Sequence, residues 1–459
     1  MSIEVLDRIF KAYDIRGLVD EEITEDIAFA IGSSFALFLM KEREPATVVI
    51  GEDMRPSSPL LAEAFADGVT SQGFDAIRIG LCSTDGLYFA SGKLNLPGAM
   101  FTASHNPAAY NGIKLCKSGA RPIGHETGLM WIRNAIESGS PISNRPVGKE
   151  SSREMLTDYV DFLYSLFDHD FSGRKLRIAV DAGNGMAGHT APAVLARMNA
   201  EVFPLYFELD GSFPHHEANP IDPKNLVDLQ KLVKKKKADI GLAFDGDADR
   251  CFLVDETGAL VSPSALTALI ADRELRKRPG STIIYNLISS NIVREVVEAV
   301  GGTAVRSRVG HSYIKKLMEE TGAIFGGEHS GHFYFKEFWR ADSGMLAALH
   351  AIAALIESTD SLSSLLAPYN RYFQSGEINT EVASPKDSVR AIEEHYLQQS
   401  EKRGLQFDRL DGLTVTSPEW WFNVRPSNTE PLLRLNTEAK TAKEMVAIRD
   451  EVLKFIKSR

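Results

Sequence analysis

Cysteine is scarce: Cys82, Cys116 and Cys251 are the only three in 459 residues. An odd and widely spaced set excludes a disulfide scaffold and a cysteine-rich zinc module, and it fits a reducing compartment, the cytoplasm. Long apolar runs are missing too. The longest uncharged apolar stretch, residues 27–40, falls short of the ~18 needed to cross a bilayer and contains Gly32, Ser33 and Ser34. It reads as a buried helix, and residues 346–356 form a shorter stretch of apolar character. Residues 1–17 carry Glu4, Asp7, Arg8 and Lys11 around no apolar centre, so no secretory signal is expected there. Basic charge is in deficit, with 51 Lys and Arg against 62 Asp and Glu and a net charge of −11. Binders of the phosphate backbone usually carry a basic stripe. Neither nucleic acid nor a membrane is therefore expected as a partner, whereas a local Arg/Lys cluster for a small anion is compatible with the balance.

With 44% hydrophobic and 25% charged residues, the composition is that of an ordinary globular protein. At ~150 residues per domain the length asks for about three domains. Three segments share a plan. Residues 47–53 (TVVIGED), 176–185 (LRIAVDAGNG) and 281–290 (STIIYNLISS) read as β-branched strands. Helices are expected after them at 58–72, around 190–198 and at 291–300. Each segment closes on a further strand that runs into a polar loop, at 98–106, 238–250 and 323–332. Strands alternating with helices imply α/β units with mainly parallel pairing. The recurrence forms a weak internal repeat of about a hundred residues, and ligands of such units bind beyond the carboxyl ends of the strands. From about Tyr369 the pattern changes to strands at 371–382 and 412–424 and an amphipathic helix at 441–458, a smaller α+β domain. The expected partition is 1–148, 149–256, 257–368 and 369–459.

Four loops carry chemistry. In residues 244–251 (FDGDADRC), Asp245, Asp247 and Asp249 at alternate positions can converge on one hard cation and leave it open to a phosphate oxygen. A calcium loop is the rival, but Arg250 stands at the sixth position, where its turn needs Gly, and the flanks read as strands. In residues 102–115 (TASHNPAAYNGIKL), Ser104 lies at a strand-to-loop transition with His105 and Lys114 nearby. A serine nucleophile competes there with a plain turn, and no G-x-S-x-G elbow supports a hydrolase. Residues 326–332 (GGEHSGH) hold Glu328, His329, Ser330 and His332. Glycines that admit a ligand to the backbone suit sugar hydroxyls better than zinc, whose His pair needs a helix. Residues 425–431 (RPSNTEP) combine Arg425 with Ser427, Asn428 and Thr429, an anion nest apt for phosphate. Residues 12–17 (AYDIRG) add Tyr13 and Arg16, and 309–316 (VGHSYIKK) add His311. The run Lys234–Lys237 reads as a solvated helix end, and His215-His216 as a loop without metal.

Taken together and in this order, the loops and the AYDIRG start resemble the α-D-phosphohexomutase superfamily. The likeness is to its bacterial phosphomannomutase/phosphoglucomutase branch, and it extends over essentially the whole chain. The resemblance implies three topologically similar α/β domains with mixed sheets. A C-terminal α+β domain like the TATA-binding protein follows, all around a central cleft. It implies that Ser104 is a phosphoserine and that Asp245, Asp247 and Asp249, with Ser104, hold Mg²⁺. Glu328 and Ser330 would read sugar hydroxyls, with His332 as a further substrate contact. Arg425, Ser427, Asn428 and Thr429 would clamp the non-reacting phosphate. Arg16, Lys114, Arg250 and His311 would surround the transferring phosphate and its proton transfer, and Tyr13 would lie near the sugar.

The implied activity interconverts hexose 1- and 6-phosphates of mannose or glucose through a hexose 1,6-bisphosphate, in a monomer or homodimer. One departure stands out. Relatives often carry Lys where this chain has Ile288, and Arg340 is a candidate replacement for that charge. The alternatives are a phosphoglucosamine mutase, which more often has Gln at the place of His329, and a non-catalytic sugar-phosphate-binding paralogue.

Overall fold

The computed structural model describes residues 3–139, 143–427 and 432–457, with the side chains of His311 and Ser312 outside that description. The repeat expected from the sequence is present as topology. In the first segment, strand Thr47–Glu52 is flanked in parallel by Asp75–Leu81 on one side and Gly98–Phe101 on the other. In the second, Leu176–Asp181 is flanked in the same way by Ala200–Leu205 and Ile240–Phe244. In the third, Thr282–Asn286 lies between Thr303–Ser307 and Phe325–Gly327. The central strand of each is an apolar run, as expected where both sheet faces are covered. The third strand of each feeds one of the polar loops singled out above. The sheets are mixed, because antiparallel strands are added at the edges, Tyr110–Lys117 beside Gly98–Phe101 and Cys251–Asp255 beside Ile240–Phe244.

The chain divides into two units, Met1–Val261 with Ser330–Leu365, and Ser262–His329 with Leu366–Arg459. In the first unit, helix Glu25–Glu42 is the buried helix anticipated at 27–40. Thr24 caps its start, and Arg43 ends it in the left-handed conformation. It crosses helix Ser58–Ser71 through paired glycines. A Cβ on Gly32 would meet the Phe65 carbonyl oxygen at 2.1 Å, and one on Gly68 the Phe29 carbonyl oxygen at 2.1 Å. Phe35, Phe65 and Phe101 pack below that crossing. Helix Gly344–Ile356 is buried along nearly its whole length. Among the described residues no helix is long and apolar enough to cross a membrane.

In the second unit the C-terminal sheet is antiparallel, with Leu432–Ala439 paired to Trp420–Pro426 and the latter to Leu413–Thr416. Helices Pro385–Leu397 and Ala442–Lys457 cover it, burying Ile392, Tyr396, Ile448 and Val452 against Val415, Phe422 and Leu435. The helix crossing in the first unit leaves no space for a methyl group. Gly32→Ala is expected to lower stability by about 1–3 kcal/mol, read as a lower urea midpoint. An unchanged midpoint would mean that the two helices do not touch there.

Candidate active site

Strand Gly98–Phe101 is fully buried, and the chain leaves it into a tight polar turn. Thr102 Oγ1 accepts the Ser104 N–H at 2.9 Å. Ser104 has φ +50°, a left-handed conformation that is uncommon outside glycine. This turn aims the hydroxyl at the second domain's loop. Ser104 Oγ donates to Asp245 Oδ2 at 2.8 Å, lies 3.3 Å from His105 Nδ1, and accepts from Arg250 Nη2 at 3.5 Å.

The loop it meets closes an antiparallel pair, with Phe244 opposite Cys251. Its flanks are strands, so it is not the helix–loop–helix calcium module. Asp245, Asp247 and Asp249 are buried, with ligand oxygens within 4.8 Å of one another. Gly246 permits the approach of the two loops, since a Cβ there would meet the Ser104 carbonyl oxygen at 2.4 Å. Buried carboxylates demand partners, and the first domain supplies several. Lys114, opposite Met100 in the sheet, donates to Asp247 Oδ2 at 2.7 Å and to Asp249 Oδ2 at 2.6 Å. Thr84 Oγ1 donates to Asp247 Oδ2 at 2.6 Å, and its N–H to the Asp247 carbonyl at 2.9 Å. Arg250 pairs with Asp245 through Nε at 2.7 Å.

Burial pushes Asp245 up to about 8 despite Arg250. It works against the charge of Asp247 as well, but Lys114 and Thr84 outweigh it and hold that carboxyl well below the usual range. Burial likewise opposes the Lys114 charge and is outweighed by Asp247 and Asp249, so the ammonium is held well above its ordinary value. The Oδ1 atoms of Asp247 and Asp249 are buried and have no hydrogen-bond partner among the described residues. Three carboxylates, two of them with an unused buried oxygen, fit a hard divalent cation.

Ser330 and His332 belong to the same unit. The Arg250 and His332 backbones form a bridge, and Gly331 accepts the Cys251 N–H at 3.2 Å. His332 Nδ1 lies 2.9 Å from Ser330 Oγ, and Nε2 lies 3.7 Å from Asp249 Oδ1. Arg16, on strand Ile15–Leu18, donates to Asn106 in the serine loop and pairs with Asp14. Tyr13 is half-buried in the preceding bend. The fold thus brings together Ser104, Lys114, the three aspartates, Arg250, Ser330 and His332, with Arg16 joined through Asn106. Arg340 is half-buried with a left-handed backbone.

The second unit holds the remaining candidates. Glu328 is buried, and its Oε1 accepts from the Gly310 N–H at 3.1 Å and from Asn286 Nδ2 at 3.4 Å. His329 sits 3.3 Å from Ser264 Oγ, and among the described residues neither it nor Glu328 joins a cluster of metal-ligand type. Arg425 is buried and pairs with Glu377, which also meets Arg434 at 3.2 Å. Its Nη1 is buried without a hydrogen-bond partner among the described residues. Ser427 accepts from Arg434 Nη2 at 3.5 Å. Ile288 is buried in the turn after strand Thr282–Asn286. Asn428 and Thr429 lie outside the described residues, as does the side chain of His311, which begins helix His311–Thr321.

Four family models of phosphoglucomutase/phosphomannomutase match the chain: α/β/α domain I at 7–142, domain II at 157–258, domain III at 262–372, and the C-terminal domain at 377–455. The chain belongs to the phosphoglucomutase/phosphomannomutase family. It is similar to the phosphohexose mutases of Xanthomonas campestris, with 40% identity over 94% of this chain and 95% of the relative. A phosphomannomutase of Escherichia coli is 38% identical over 94% of each chain. A crystal structure of a phosphoglucomutase/phosphomannomutase family protein from Burkholderia thailandensis superimposes with TM-score 0.89 at 30% identity, covering 100% of this chain and 98% of that one. Membership makes this chain a phosphohexomutase, a phosphotransferase acting on phosphosugars, with the α/β, four-domain architecture of the family.

Two site residues are not evident from the sequence motifs. Thr84 starts helix Thr84–Leu94 and grips Asp247. Arg55 lies beneath the serine loop. An acid–Arg–Ser–Ser cluster at a strand end, residues 53–58, was the available signal for the second.

Burial pushes the His329 imidazole down to about 4, with Glu377 opposing and Arg425 reinforcing the shift. Between its ordinary value of 6.5 and about 4, the unfolded chain takes a proton that the folded chain refuses. This contribution to stability is therefore lost as pH falls through that window. His329→Gln is expected to show a smaller drop in Tm than the unaltered chain between about pH 7 and about pH 4. Equal drops would place the imidazole in solvent.

Proposed function

We propose that this phosphohexomutase interconverts the 1- and 6-phosphates of mannose and of glucose, passing a phosphoryl group through Ser104 and a hexose 1,6-bisphosphate. The observation that carries the reading is Ser104 Oγ, 2.8 Å from Asp245 and 3.5 Å from the Arg250 guanidinium. That places a hydroxyl between a carboxylate cluster and a cation. The names of the relatives as phosphomannomutase and phosphohexose mutases agree with it.

A phosphoserine carries about −1.5 to −2 charge. Asp245, Asp247 and Asp249, with the phosphate on Ser104, would hold Mg²⁺, which when bound neutralises charge on the phosphoryl group in transfer. Arg250 stabilises the equatorial oxygens from the side of the serine. An acceptor hydroxyl needs a base and the returning serine needs an acid. Lys114 and His311 are the candidates of the sequence, and the structure adds reason to consider His332, whose two ring nitrogens face Ser330 and Asp249. Arg16 and Tyr13 contact the transferring phosphate and the sugar. Glu328, Ser330 and His332 read sugar hydroxyls, and Arg425, Ser427, Asn428 and Thr429 hold the distal phosphate. The buried Nη1 of Arg425, without a hydrogen-bond partner among the described residues, supports the last assignment. The bisphosphate then turns over so that either phosphate can face Ser104. We place the domains at 1–148, 149–256, 257–368 and 369–459 and the enzyme in the cytoplasm, as a monomer or homodimer.

The test is kcat/KM for mannose 1-phosphate, glucose 1-phosphate and glucosamine 1-phosphate with Mg²⁺ and a trace of hexose 1,6-bisphosphate. Comparable values for the first two, and loss of turnover with retained substrate binding in Ser104→Ala, are expected. Preference for the amino sugar would move the chain to phosphoglucosamine mutase. Full turnover in Ser104→Ala would remove the phosphoserine from the mechanism.

A further inference from the structure

Arg55 is 1% exposed and lies at the end of the central strand of the first domain. Its guanidinium is spread over the backbone of the serine loop. Nη2 donates to the carbonyls of Ser104 at 3.0 Å and Asn106 at 2.7 Å, and Nη1 donates to those of Pro107 at 2.9 Å and Tyr110 at 2.8 Å. The charge is balanced by Asp53, whose Oδ2 lies 3.3 Å from Nε. Asp53 is fixed in turn, since its Oδ1 accepts from the Arg55 N–H at 2.9 Å and from Ser58 Oγ at 2.6 Å. Asn111, just past the loop, donates to Ser57 and Ser58. From the second domain, Phe213 packs on the guanidinium at 5.1 Å and itself adopts φ +52°.

Four carbonyls within seven residues turn toward one buried cation. A loop of this length otherwise leaves such groups to water or to a sheet. The same loop holds a non-glycine residue, Ser104, at φ +50°, a conformation that persists only where the surroundings over-determine it. Lysine offers one point of donation in place of a planar fork and cannot span these acceptors.

We infer that Arg55 is a positioning residue for phosphoryl transfer: by binding the carbonyls of residues 104, 106, 107 and 110, it holds the left-handed turn that points Ser104 Oγ at Asp245. The inference rests on the role proposed above for Ser104. Arg55 touches no reacting atom, and its effect falls on the geometry of transfer and not on sugar binding.

The test is Arg55→Lys, which keeps the charge facing Asp53. Expected are a KM within about threefold of the unaltered enzyme and a kcat lower by about 10–100-fold, the scale of a misplaced reacting group. Amide hydrogen exchange is expected to quicken in residues 102–110 and nowhere else. Phe213→Leu, which removes only the ring over the guanidinium, should lower kcat by about threefold in the same pattern. Unchanged kcat, or a loss matched by faster exchange throughout the first unit, would overturn the inference. If the unaltered enzyme acquires no phosphate on Ser104, the proposed mechanism fails. The exchange pattern in Arg55→Lys still decides then whether Arg55 holds the loop.

Discussion

Three carboxylates buried within a few ångströms of one another cannot stand alone. Asp245, Asp247 and Asp249 repel one another, and each has lost its water. The rest of the first unit answers that problem. Arg250 neutralises one carboxylate from within the loop, Lys114 reaches two of them from a strand of the first domain, and Thr84 and Ser104 donate hydroxyls. The Oδ1 atoms of Asp247 and Asp249 are left without a hydrogen-bond partner among the described residues. A divalent cation fits those oxygens. The demand of one acidic loop therefore docks the second domain onto the first and places the serine beside it.

The location of the loop follows from the repeated strand order. In each α/β segment the third strand pairs with the central one and ends in open chain, so the carboxyl edge presents a polar loop. One edge gives Ser104, the next the three aspartates, the third Glu328. The fourth domain is built differently, an antiparallel sheet under two helices, and carries Arg425 on the strand Trp420–Pro426.

Much of this was legible because the signals are local. Aspartates at alternate positions after an apolar strand announce their loop without knowledge of the fold. The helix at 27–40 was legible from its uncharged, mostly apolar character, and the lysine run from its place at a helix end, where Lys237 turns left-handed. Other features depend on distant partners. Thr84 is 163 residues from Asp247 and Arg55 is 49 from Ser104, so no spacing rule links them. Helix Ala187–Leu195 starts earlier than its sequence suggests and carries Pro192 inside. It is packed so that Ala187, Ala191 and Val194 are buried, and tertiary contact overrides local propensity there.

The account stands on Ser104 as the site that takes and returns the phosphoryl group. Its most direct test is phosphopeptide mapping by mass spectrometry after incubation with hexose 1,6-bisphosphate and Mg²⁺, followed by a chase with hexose 1-phosphate. The account predicts phosphate on Ser104 alone, removed by the chase as bisphosphate appears. Phosphate on another residue, or none while the enzyme turns over, would contradict it.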